Sequence, residues 1–123
     1  MIFYLESEEA RLVLNVALMA TGQNRFRSAA KILAALERFR PEEASVAVAN
    51  AILFISMLDF GGAVDYIDRI ALPKFPSSAM LQAFKGMALI RMGRKAESLL
   101  PLSVAAGQSV DPAAAQLAKD LLT

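Results

Sequence analysis

An all-α fold of paired helices is predicted from three observations on this 123-residue chain. Alanine and leucine recur with helical spacing, caps and breakers divide the chain at short intervals, and no apolar–polar alternation bounded by turns suggests a strand. A recurrence of similar residues 34 positions apart adds a repeat to the helical reading. At 56% hydrophobic and 20% charged, the length suits one domain and is too short for two independent cores.

The first helix is predicted at about residues 8–21, with Ser7 as cap, Glu8 and Glu9 at the positive end of the dipole, and Gly22 as stop. A second, about 25–39, sets Phe26, Ala29, Ala30, Leu33 and Leu36 on one side and Arg27, Lys31 and Arg38 on the other. Pro41 suits the first turn of a third helix, followed by Glu42 and Glu43, which runs to about Leu58. Gly61 and Gly62 open or loosen a fourth that ends near Leu72 and Pro73. Ser77 and Ser78 offer caps for a fifth that ends at Gly93. The sixth starts near Arg94 and must bend or stop at Pro101, and Asp111-Pro112 starts a last helix to about Leu122. Three hairpins, about 8–39, 41–72 and 77–106, and a capping helix at about 112–122 result.

Phe26 and Phe60, Ala29 and Ala63, Leu33 and Ile67, and Leu36 and Ile70 each stand 34 residues apart. That is the tetratricopeptide period, in which an aromatic residue opens the second helix of a hairpin and a small one three positions later lets the helices approach. Gly86 and Gly93 carry the pattern into a third copy that lacks the aromatic, and Leu58 stands where the second turn glycine belongs. A right-handed superhelical array follows, its concave face lined by the first helix of each pair. Repeat starts at residues 8, 44 and 79 put Leu12, Val16 and Met19, then Val48, Ile52 and Ile55, then Met80, Ala83, Met87 and Ile90 on that face. An apolar lining suits the greasy stripe of an amphipathic helix, and methionine moulds itself to such a ridge.

Composition narrows the chemistry. Neither cysteine nor histidine occurs, so thiolate and imidazole ligands and nucleophile–histidine pairs are out of reach. The carboxylate pairs Glu8/Glu9, Glu42/Glu43 and Asp65/Asp68 read as dipole partners and solvated faces. The expectation is no enzyme, no cofactor and no metal. A net charge of +1 supplies no field for nucleic acid, and Arg25, Arg27, Lys31, Arg38 and Arg40 have no interleaved aromatics. The uncharged stretch 44–58 is shorter than the roughly 20 residues of a membrane span. Met1-Ile2-Phe3-Tyr4-Leu5 lacks the basic start of a signal peptide, so a cytoplasmic protein without membrane insertion is expected.

Four segments carry a more specific likeness: Ala20-Thr21-Gly22-Gln23, the helix from Ala29 with Leu36-Glu37-Arg38, the stretch from Pro41 to Leu58, and the tail Ser109-Val110-Asp111-Pro112-Ala113-Ala114-Ala115. In these the chain resembles the tetratricopeptide-fold chaperones of the type III secretion needle subunit, the YscG/PscG group. The resemblance implies that the concave face binds the C-terminal amphipathic helix of a needle subunit and prevents premature polymerisation. It also implies a small helical co-chaperone in a heterotrimer, with Phe3, Tyr4 and Leu5 at its interface. The alternative is a tetratricopeptide-like scaffold or a chaperone of the translocator class, self-associating through the third helix or Met1–Leu5.

Overall fold

The computed structural model describes residues 7–108 and 110–123, and of Ser7 only the backbone. Phe3, Tyr4, Leu5, the Ser7 cap and Ser109 of the tail motif lie outside what is described. All the regular structure among the described residues is helical. The seven helices are α1 (Ser7–Gly22), α2 (Phe26–Phe39), α3 (Ala44–Ser56), α4 (residues 60–74), α5 (Ala79–Arg91), α6 (Lys95–Ala106) and α7 (Pro112–Leu122). They pack in sequential antiparallel pairs, as hairpins do.

Two compact units divide the chain, Met1–Leu58 and Asp59–Thr123. In the first, α1 packs on α2, α2 on α3, and α1 on α3. Its core joins Ala10, Ala17 and Ala20 of α1 to Ala29, Leu33 and Leu36 of α2 and Val46, Ala49 and Leu53 of α3. In the second, α4 packs on α5, α5 on α6, and α7 on both α5 and α6. Its C-terminal cluster gathers Ala79 and Ala83, Leu102 and Ala105, and Ala114 and Ala118. Each helix therefore meets the next within its unit, and α1 and α5 also meet the one after that. The cores are mostly alanine, which lets helix axes approach closely.

The repeat is written into the backbone at the turns. Asn24, Leu58 and Gly93 all adopt positive φ, at 61°, 61° and 76°, and stand 34 and 35 residues apart. In each turn the residue before the left-handed one donates its N–H to the carbonyl four back: Gln23 to Met19, Met57 to Leu53 and Met92 to Ala88, all at 3.0 Å. Arg25 and Arg94, just past the turn, donate five residues back to Ala20 and Leu89, both at 2.8 Å. This is one helix-ending motif in three copies, and it closes the carbonyls that a helix end leaves open.

Buried small residues follow the same register. Ala17, Ala51 and Gly86 lie seven residues before the three turn residues, and Ala29, Ala63 and Ser98 lie five after them; all are buried. A side chain built on Gly86 would run into Cγ and Cδ2 of Leu102, so α5 and α6 meet there at backbone distance. Ser98 satisfies its hydroxyl by donating to the Lys95 carbonyl at 2.6 Å.

Two expectations change, at Pro41 and at the Leu36–Ile70 pairing. Pro41 does not open α3: it sits in a turn with Glu42, and Glu43 in extended conformation is the cap residue. The buried Arg40 holds that turn, its guanidinium 3.2 Å from Glu42 and 2.6 Å from Glu43. The α4 helix ends at Lys74, close to the expected Leu72-Pro73. It is α-helical over Phe60–Tyr66, widens to a π-helix over Ile67–Ala71 and finishes with Leu72–Lys74. Pro73 has no N–H for the carbonyl four back, and the wider turn moves the ladder to five, with Leu72 N–H donating to Ile67. The extra residue breaks the pairing of Leu36 with Ile70. Ile70 is 56% exposed and Ala71 takes the buried place. Finally, α6 runs through Pro101, because the carbonyl it deprives, that of Glu97, lies in an exposed first turn.

Candidate functional site

The three turns fix a register for the first helices of the hairpins that differs from the one expected for the first repeat. Counting back from Asn24, Leu58 and Gly93, the partners of Val48, Ile52 and Ile55 in α1 are Leu14, Leu18 and Thr21. Leu12, Val16 and Met19 fall two positions off that row. In α5 the row is Ala83, Met87 and Ile90, as the sequence spacing gives.

In the first unit Leu14 and Leu18 of α1 and Val48, Ile52 and Ile55 of α3 are all half-buried. Thr21 is buried and donates its hydroxyl to the Ala17 carbonyl at 2.9 Å, so it adds no polar demand to the surface. A cavity of about 400 Å³ opens where α1 meets the start of α3, between Ala10, Arg11 and Leu14 on one side and Glu43, Ser45 and Val46 on the other. Arg11 is exposed, and Glu43 leans on Arg40. The cavity has an apolar floor with one cationic and one anionic residue at its end.

The other predicted lining residues divide. Leu12, Val16 and Met19 are 65%, 53% and 62% exposed and share the side of α1 opposite Ala10, Ala17 and Thr21. On α5, Ala83 is fully buried in the C-terminal cluster, and Met80 and Ile90 pack against that cluster. A buried alanine presents no surface to a ligand. Met87 is half-buried.

Several charged groups of the second unit are engaged in pairs. Asp65 pairs with Arg69 at 2.8 Å, Asp68 with Lys85 of α5 at 2.7 Å, and Arg91 lies 5.1 Å over the Phe60 ring. Arg94 donates twice to the Glu97 carboxylate, which holds that carboxyl below its ordinary range and the guanidinium above its own. Among the described residues no cluster of three metal-ligating side chains forms, and no helix is long and apolar enough to cross a membrane.

Sequence reasoning missed Leu14 and Leu18 because it started the first repeat at the helix N-terminus. Had it started from the turn at the other end, Asn24, a residue type tolerant of positive φ, would have set the register. It also left the third copy thin, because Lys95 replaces the opening aromatic; Ser98 and Leu102, three and seven residues on, carry the small and large positions. No known protein family, curated protein or solved structure matches this chain.

Proposed function

We propose that this chain is a tetratricopeptide-like chaperone whose ligand is an amphipathic helix, specifically the C-terminal helix of a type III secretion needle subunit, held in the bacterial cytoplasm. The observation that carries the reading is the half-buried row Val48, Ile52 and Ile55 on α3, with Leu14 and Leu18 at the equivalent places of α1. Aliphatic side chains left half-buried at helical spacing can take the matching stripe of another helix, and a cavity at the end of the row supports a single orientation.

The functional logic is mass action. A subunit that polymerises through an apolar helix stays monomeric while that helix is covered, and the covering protein gains stability from the same contact. The recurrence of one turn at 34 and 35 residues supports the tetratricopeptide-like array on which the resemblance to the needle chaperones rests. The same resemblance brings a small helical co-chaperone into the complex, and no enzymatic step or cofactor is part of it.

Co-expression of the tagged chain with a needle subunit and candidate small helical proteins tests the reading. A stoichiometric complex that keeps the subunit from polymerising is expected, and Ile52→Glu should lose the subunit while keeping the helical circular dichroism of the parent. Capture that survives Ile52→Glu, or that needs a soluble folded partner instead of a helix, would replace the chaperone by a general scaffold.

A further inference from the structure

In α3 and α5 the positions equivalent to Leu12 and Met19 are Val46 and Leu53, and Leu81 and Ala88. All four are buried, Val46 and Leu53 in the core shared with α1 and α2, Leu81 and Ala88 on the helix against which α4 packs. The repeat thus keeps these two positions apolar and buried under a preceding helix, whereas the third, that of Val16, is taken by the half-buried Asn50 and Lys85. In α1 the row is Leu12, Val16 and Met19, and among the described residues no helix covers it. An end face of stacked helices that stays apolar calls for a partner.

We propose that the partner is a second copy of this chain, with the two α1 helices packed antiparallel about Asn15 and Val16. In that arrangement Leu12 of each copy lies opposite Met19 of the other. A pocket of about 220 Å³ is present there, between Val16, Met19 and Ala20 of α1 and Ser28 and Ile32 of α2, with Arg25 at its rim. That is room for an aliphatic side chain, since a cavity of about 150 Å³ holds benzene. Charge selects the orientation. Glu8 and Glu9 stand exposed at the start of α1 and Arg25 just past its end, so antiparallel packing sets acid against base twice. Parallel packing would set like against like. A surface complementary to itself under a twofold rotation is the requirement for a closed dimer. The face is distinct from the Leu14, Leu18, Val48, Ile52 and Ile55 row, so self-association and helix binding are separable.

The test uses the full chain in sedimentation equilibrium over a range of concentrations. The chain has no cysteine, so Asn15→Cys introduces a single thiol near the twofold axis. The expected results are a mass rising toward twice the monomer, rapid cross-linking of Asn15→Cys by a short bis-maleimide, and a monomeric Leu12→Glu variant with unchanged helical circular dichroism. Glu8→Arg with Glu9→Arg should weaken the dimer at least tenfold, and adding Arg25→Glu should restore it. A monomer at every concentration overturns the proposal; if its Asn15→Cys thiol is also slow to label, the face belongs to another segment of the same chain. A dimer indifferent to Leu12→Glu overturns it equally, because the interface then lies elsewhere.

Discussion

Gly86 shows how much one residue settles. It occupies the place of Ala17 and Ala51 in the other first helices, and Leu102 sits where its side chain would be. Gly86→Ala removes a helix-weakening glycine, which alone would stabilise by about 1 kcal/mol. Overpacking against Leu102 opposes this with a cost of about 1–3 kcal/mol. A net loss is expected, read as a lower urea midpoint, and Gly86→Ala should cost less in a Leu102→Ala background than in the parent, because the two sites share one contact. Spacing alone singles out Gly86 as part of a repeat, whereas its contact with Leu102 depends on how two helices cross. The same holds for Ser98, a polar type in a buried place whose hydroxyl is satisfied within its own helix turn.

Helices and turns were the scale most open to sequence reasoning. Ser78 and Asp111 cap α5 and α7 as their positions predict, accepting from Leu81 and Ala114. Asp59 does the same for α4 by accepting from Gly62 at 2.9 Å. Pro41 misled because its value at the first turn of a helix holds just as well for the turn before one, and the local Arg40–Glu43 ion pair that holds this turn is not distinguished by residue type alone. Leu58 at φ 61° and 69% exposed has a strained backbone and little packing to lose. Leu58→Gly relieves roughly 1–2 kcal/mol of left-handed strain and gives back about 0.4–1 kcal/mol through a freer unfolded chain. A small rise in thermal midpoint is therefore expected, measurable by calorimetry, with no change in helix content.

For the whole molecule, composition excluded chemistry more effectively than it assigned a role. A chain without cysteine or histidine and with a mostly alanine core buries little apolar area per residue, so its stability alone is modest. A ligand that covers the Val48, Ile52 and Ile55 row contributes RT ln(1 + [L]/Kd), about 2.7 kcal/mol at a hundredfold excess over Kd. Titration with a synthetic amphipathic helix of the client should raise the thermal midpoint in a concentration-dependent way, whereas a helix with its apolar stripe replaced by serine should leave it unmoved. Burial was the part of the site that sequence concealed: Ala83 and Leu18 are both apolar residues at helical spacing, and only packing closes one off completely and leaves the other half-buried against a core.

The π-helical turn of α4 means that this repeat protein has absorbed a change of length inside a helix, where a loop would be the usual place. One residue more than the period is carried at Ile67–Ala71 without interrupting the helix, and Ile70 is the apolar residue turned out to solvent there. A one-residue deletion, ordinarily among the most damaging edits to a packed helix, should then be tolerated here. Removing Ile70 together with Pro73→Ala is expected to give an unbroken α-helix with unchanged far-ultraviolet circular dichroism, while removal of Leu33 from α2, where no spare residue exists, should abolish folding.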